Sequence, residues 1–169
     1  MILAVDVYYF EGKAKAVGIL FEDWVDTQPK QTIEASIEDV AEYLSGEFYK
    51  RELPCIITLL NKMNLNEIET IIIDGYVYLN DDCKPGLGAH LYHYLAGKIP
   101  VIGVAKTAFY QNHKNTMEAV RGTSKNPLYV TAIGLPLIVA GNSIKNMAGA
   151  HRIPTLLKSL DRQTKICFK

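Results

Sequence analysis

Apolar residues fall along this chain in short runs, and the spacing within each run predicts an element. Ile2 to Phe10 is rich in β-branched and aromatic residues, and Ala14 to Phe21 resumes the pattern after Glu11-Gly12-Lys13. Two such runs across a short Gly-containing turn predict a β-hairpin. A third run, from about Trp24 to Ile33, extends it to a three-stranded meander. From Glu47 to Met63 the apolar residues Phe48, Ile56, Leu59, Leu60 and Met63 recur at helical spacing. Pro54 inside that pattern means that the helix kinks there or begins just before it. Ile68 to Ile73 reads as a buried central strand, Lys84 to Gly97 as a second helix ending at a Gly cap, and Pro100 to Ala105 as another buried strand. Leu128 to Ile133 and Leu135 to Val139 are strand candidates joined at Gly134. Residues 142 to 147 and Pro154 to Leu160 read as helical. A meander followed by alternating helices and strands predicts an α/β layered domain with parallel pairing.

At 169 residues the chain is long enough for one full core and too short for two, so a single domain spanning 1–169 is expected. Lys+Arg and Asp+Glu are both 18, so bulk charge advertises neither a nucleic acid nor a membrane, and attraction to phosphates must be local. Three widely spaced cysteines (Cys55, Cys83, Cys167) without a CxxC pair argue against a disulfide scaffold or a zinc ribbon. No stretch approaches a membrane span, and the first residues, with Asp6 inside the apolar run, do not read as a signal peptide. A cytoplasmic protein is expected.

The acids within the apolar runs carry the chemistry. Asp6 sits mid-strand between Val5 and Val7, and Asp74 ends Ile71-Ile72-Ile73 just before Gly75. A buried carboxylate costs several kcal/mol unless a cation, a helix N-terminus or an Arg compensates it. Asp-Gly at a strand end also makes an ordinary turn, and Glu52 alone reads as a solvated helix face. Lys106 ends the run Val101 to Ala105, at a carboxyl end where α/β sheets place their sites. His151-Arg152 before Pro154 offers a second place for a phosphate, at a helix start. A basic group of Arg152, Lys158, Arg162, Lys165 and Lys169 is the strongest local positive patch.

In order along the chain, these residues resemble the endonuclease V family, the deoxyinosine- and inosine-directed nucleases. The segments are Ala4-Val5-Asp6-Val7-Tyr8, Tyr43-Leu44-Ser45-Gly46 with Arg51-Glu52, Ile73-Asp74-Gly75, Gly86 to Leu91, Ile99 to Lys106, Pro127 to Val130 and Gly149 to Pro154. The resemblance implies an RNase H-like fold: a mixed sheet opened by an antiparallel meander, with helices on both faces. It implies a metal-dependent endonuclease that hydrolyses phosphodiester bonds near inosine or other deaminated or distorted bases in DNA or RNA. Asp6, Glu52 and Asp74 would be its catalytic metal ligands, for Mg²⁺ or Mn²⁺, with Lys106 on a phosphate. Tyr43 would be a wedge filling the gap left by a base taken out of the stack. Gly75, Asn80, Lys106, His151 and Arg152 would meet substrate. A nucleic acid is then the expected partner, no membrane is involved, and a monomer is expected.

The chain departs from the family's pattern in its substrate-facing parts. Two histidines that usually follow the Asp-Gly pair are replaced: the segment reads Asp74-Gly75-Tyr76-Val77-Tyr78-Leu79-Asn80, and Ser45 replaces the wedge proline. A nuclease with another substrate preference, a nucleic-acid-binding homologue without catalysis, and an interaction protein with tyrosine-rich contact surfaces (Tyr92, Tyr94) are therefore alternatives.

Overall fold

A computed structural model describes residues 1–40 and 42–166. Strands β1 (Ile2–Phe10), β2 (Lys13–Phe21) and β3 (Gln31–Ile37) form the antiparallel meander. The turn between β1 and β2 has only two residues. Glu11 and Gly12 both take positive φ (47° and 76°), the turn whose twist matches the flanking strands. β3 begins later than the apolar run from Trp24 suggested. The Asp26 carboxylate accepts the Glu22 and Asp23 backbone N–H groups, and Asp23 accepts that of Val25, which ties residues 22–26 into a turn.

Helix α1 (Phe48–Leu60) follows and runs through Pro54. Pro54 is exposed, so the carbonyl that loses its helical partner there is solvated. Then come β4 (Thr70–Asp74), α2 (Leu87–Tyr94), β5 (Val101–Ala105), β6 (Met117–Ala119) and β7 (Leu128–Ile133). Helix α3 (Leu137–Asn146) and helix α4 (Thr155–Lys165) close the chain. The strand expected over Leu135–Val139 is instead the start of α3. Pro136 caps it, and its buried residues Ala140, Gly141 and Ile144 follow helical spacing while Ile138 and Val139 face solvent. Met117 of β6 packs directly on Gly141, where a Cβ would displace its side chain (Sδ at 2.1 Å). The helix expected over Pro154 to Leu160 runs on to Lys165; Cys167 and Lys169 lie outside the described residues.

The seven strands form one mixed sheet in the order β3-β2-β1-β4-β5-β7-β6, with β1–β4 and β4–β5 parallel and the other pairs antiparallel. Alternation divides the core into two layers. Leu3, Val5, Ile71 and Ile73 pack against Ile56, Leu59 and Leu91 of α1 and α2. Ile2, Ala4, Ile72, Ile102 and Val104 pack with Ile144, Leu156 and Leu160 of α3 and α4. Helices therefore cover both faces, as an RNase H-like fold requires.

Candidate active site

The alternation that builds the core also aims the acids. Asp6 continues the Ile2, Ala4 side of β1, and Asp74 the Ile72 side of β4, so both point toward the α3/α4 layer. The parallel register Val5↔Ile73 makes them the next neighbours across the two strands. Lys106 lies just beyond β5 on the same side, and Asp74 is in register with Val104. The three line one narrow cleft of about 40 Å³ together with Asp161 of α4.

Helix α4 is fixed over this cleft from below. Buried Lys15 of β2 donates to the carbonyls of Gln163 and Ile166 and pairs with Glu34 at 3.0 Å. That places Thr164 against Asp6, with Oγ1 3.3 Å from Oδ2, while the other Asp6 oxygen accepts the Val7 N–H at 2.9 Å. Glu52 enters from α1 and is 93% removed from solvent (7% exposed). Its helix is held by the Arg51 guanidinium stacked 3.7 Å over the Tyr9 ring, and by Tyr49 stacked on His90 of α2 at 3.6 Å between ring centres.

The electrostatics are those of like charges kept from water. Burial pushes the Asp6 carboxyl up to about 6; Asp74 and Asp161 push the same way, and the Val7 N–H and Thr164 oppose. Burial, then Asp6 and Asp74, push Glu52 up to about 8, with Tyr9 and Arg51 opposing. Asp74 is also raised, by burial first, against the pull of Lys106. Its side chain is at the solvent edge, so its environment is the mildest of the three. A buried carboxylate raised by burial and by two neighbouring acids, as Glu52 is, is an arrangement that a cation relieves.

The donor set fits a hard divalent ion in kind, since all its members are carboxylate oxygens. Among the described residues, no three His, Cys, Asp or Glu side chains stand close enough to hold one ion in common. The acids therefore share a field without forming a closed cage.

The family model for endonuclease V matches residues 1–154. The chain belongs to the endonuclease V family. Membership places it among endonucleases, which are hydrolases. Solved endonuclease V structures have the same fold. The Ciona intestinalis protein, in complex with a 24mer DNA containing an inosine followed by a ribo-adenosine, superposes with a TM-score of 0.78 at 16% identity over 97% of this chain and 84% of that one. Human ENDOV gives 0.72 at 19% over 97% and 82%, and the Streptomyces avermitilis enzyme 0.72 at 22% over 97% and 79%. No curated protein sequence matches the chain.

Within this endonuclease V fold the predicted substrate residues fare differently from the acids. Lys106 sits in the cleft, 4.0 Å from Asp161. Gly75 follows Asp74 with φ of 132°, a conformation suited to glycine, and its N–H donates to the Val104 carbonyl. Tyr43 is exposed beside exposed Leu44, in a turn closed by the Glu47 N–H on the Leu44 carbonyl. Arg152 gives its guanidinium to the carbonyls of Pro127 and Lys106, so it holds the Lys106 backbone. His151 is exposed before α4, whose first N–H (Thr155) is already taken by the Ala148 carbonyl. Asn80 is spent on a turn: its Oδ1 accepts the Asp82 and Lys84 N–H groups at 3.0 and 2.9 Å.

Sequence reasoning missed Asp161. It lines the cleft and adds to the field on Asp6 and Asp74, and Lys165, placed by the sequence in a basic patch, binds both its oxygens at 2.9 Å. The i, i+4 pairing of Asp161 with Lys165 looks like an ordinary surface helix pair. Only the placement of α4 over β1 reveals it.

Proposed function

We propose that this chain is a divalent-metal-dependent endonuclease that hydrolyses phosphodiester bonds near inosine or other deaminated or distorted bases, in DNA or RNA. The observation that supports it most directly is that Asp6 of β1, Asp74 at the end of β4 and Lys106 just past β5 line one cleft, with buried Glu52 of α1 in the field of both aspartates. A pure binder gains nothing from carboxylates facing phosphates. The related Ciona intestinalis structure holds inosine-containing DNA, which favours the same substrate class here.

In this reading Asp6, Glu52 and Asp74 would hold Mg²⁺ or Mn²⁺ after drawing together on the ion, since without it no three acids among the described residues stand close enough to share one, and Asp161 would be a further oxygen donor at the cleft's edge. The ion would supply a water of lowered pKa and neutralise the leaving oxygen. Lys106 binds the scissile or an adjacent phosphate as a point charge. Its ammonium, shared with Asp161, is released toward phosphate when substrate arrives. Glu52, whose carboxyl is raised by burial and by Asp6 and Asp74 in the absence of metal, would give up its proton as the ion binds. Arg152 keeps the Lys106 backbone in place, and Tyr43 wedges into the gap left by the displaced base. Gly75 leaves room for the strand beside Asp74. His151 and Asn80 belong to the outer rim of the substrate surface. The protein acts in this reading as one domain, a cytoplasmic monomer.

A shifted base preference is a second reading, favoured by one observation. Tyr76 stands where the family usually has histidine, is buried, and donates to the Thr107 carbonyl at 2.7 Å.

The test is a cleavage assay with Mg²⁺ and Mn²⁺ on matched DNA and RNA oligonucleotides with and without one inosine, with Asp74→Ala as control. Metal-dependent cutting at a fixed offset from inosine is expected. Cutting without regard to inosine supports the second reading. Binding without cutting on any substrate overturns the nuclease proposal.

A further inference from the structure

On the α1 side of the sheet two hydrogen-bond donors are buried with no acceptor among the described residues: the Tyr9 hydroxyl and Arg51 Nε. Their side chains are stacked, with the guanidinium carbon 3.7 Å from the ring centre. Tyr9 follows Val5 and Val7 on the face of β1 that packs against α1 and α2. It stands three residues past Asp6, which faces the other layer. The ring is only partly covered, but its hydroxyl end is closed off from water. A buried donor left unmade is destabilising, and native chains keep few of them.

The polar groups acting on that hydroxyl are Glu52, Cys55 and Arg51, all of α1. The Arg51 guanidinium lies over the ring and keeps it in one orientation, but a cation offers no acceptor. The Cys55 sulfur is a weak acceptor, and its thiol already faces the Arg51 carbonyl at 3.4 Å. The Glu52 carboxyl is the strong acceptor of the three, and it is only 7% exposed. Tyr9 is also the strongest of the groups that hold the Glu52 carboxyl down, ahead of the Arg51 charge. A phenol keeps its proton at neutral pH, so the hydroxyl is available as a donor.

We propose that Tyr9 is a positioning residue for the metal site: its hydroxyl donates to one oxygen of the Glu52 carboxylate and leaves the other oxygen for the ion. The role rests on the metal-dependent reading above and adds to it the group that orients Glu52. A glutamate on a helix has several staggered rotamers, and α1 alone does not choose among them. The hydroxyl ties the carboxylate to β1, the strand that also carries Asp6, so two ligands on different elements share one reference. Outer partners of this kind set a ligand's direction and the site's affinity without touching the ion.

The test reads Mn²⁺ binding to the full chain by the ion's electron paramagnetic resonance, with no nucleic acid and no turnover. Tyr9→Phe deletes the hydroxyl and keeps the ring under Arg51. Its Mn²⁺ Kd is expected to rise about tenfold, the lower end for outer partners of metal ligands. Its metal-free melting temperature should equal or exceed the parent's, since the hydroxyl it removes has no partner there. Cys55→Ala removes the neighbouring sulfur and should leave the Kd unchanged. Equal Mn²⁺ affinity in Tyr9→Phe and the parent overturns the positioning role and leaves the metal-dependent reading standing. A loss of affinity matched by Cys55→Ala also overturns it, because packing beneath α1 would then set the affinity. A parent that binds no Mn²⁺ overturns the metal-dependent reading, and this role with it.

Discussion

Asp6, Asp74 and Glu52 are carried by β1, β4 and α1, whereas residues 76–83 and 107–116 carry one another. In the first region each side chain is aimed by strand alternation or helix packing, and the acids have few partners. In the second, side chains hydrogen-bond to backbone across two loops. Asp81 accepts the His113 and Lys114 N–H groups at 2.6 and 2.7 Å, Asn112 donates to Tyr78 and Asn115 to Asn80. The Lys114 and His113 N–H groups hold the Asp81 carboxyl below its usual range. The loops are tied to one another without substrate, with Asn112 Oδ1 and Thr116 Oγ1 the exceptions, whereas Glu52 is left in the field of Asp6 and Asp74. Groups held in unfavourable surroundings by a rigid frame are those expected to do chemistry. Mutations in the first region should therefore cost activity and spare stability, and mutations in the second should do the reverse.

The largest expected effect tests that contrast directly. Asp6→Asn should lower metal-dependent cleavage by about a hundredfold or more, since even partners of metal ligands cost 10- to 100-fold. It also removes a charge that raises Glu52, so the metal-free variant should melt at a higher temperature than the parent near pH 8. A lower melting temperature would break the comparison, because Asp6 would then be supporting the fold.

Burial, with the neighbouring acids adding to it, fixes a pH dependence. Asp6 and Glu52 titrate higher in the folded protein, at about 6 and about 8, than their ordinary values of 3.8 and 4.5. Protonation then favours the fold. That contribution is fully present below the unfolded values and is lost as pH rises through about 6 and then about 8. Metal-free thermal stability should fall between about pH 5 and pH 8, and Asp6→Asn should flatten the fall. Added Mg²⁺, which needs ionised carboxylates, should raise the melting temperature more at the upper end. A flat profile in the parent would mean that the acids are effectively solvated.

Gly103→Ala strikes the seam between the two regions. A Cβ on Gly103 would lie 2.5 Å from the Gly75 carbonyl oxygen and 2.6 Å from Thr131 Oγ1, which itself accepts the buried Val77 N–H. The substitution should cost about 1–3 kcal/mol by urea unfolding. It should also lower cleavage, since the turn holding Asp74 must shift. Unchanged stability would show that the turn after β4 gives way freely.

How much was legible follows the same division. The hairpin, β4 and β5 were readable from their apolar runs, and Asp6 and Asp74 because a carboxylate in or ending a β-branched run violates the local pattern; Glu52, on a helix, reads alone as a solvated face and stood out only through the family resemblance. The boundary of β3 was not, since Asp23 and Asp26 end the apolar run by side-chain bonds that periodicity does not register. The strand expected at Leu135–Val139 failed because β-branched residues outweighed Pro136 as a helix start. β6, at three residues, is too short to show a period. Asp161 was invisible because its role depends on α4 crossing β1. The tasks of Asn80 and Arg152 are backbone contacts made over distances of 2 to 46 residues in the chain.

Tyr76→Phe is the smallest change and isolates the loop region most cleanly. It deletes the hydrogen bond to the Thr107 carbonyl and keeps the ring against Phe109. Thr107 is exposed, so its carbonyl regains water and no buried acceptor is stranded. The cost should be about 1 kcal/mol, read as a lower urea midpoint at constant m. Because Lys106 precedes the released residue, KM for an oligonucleotide should rise while kcat stays close to the parent's. A fall in kcat comparable to that of Asp6→Asn would place the Tyr76 hydroxyl in the chemistry, in the position the family usually gives to histidine. Stability lost without any change in KM would instead leave the loops as packing alone, with chemistry confined to the first region.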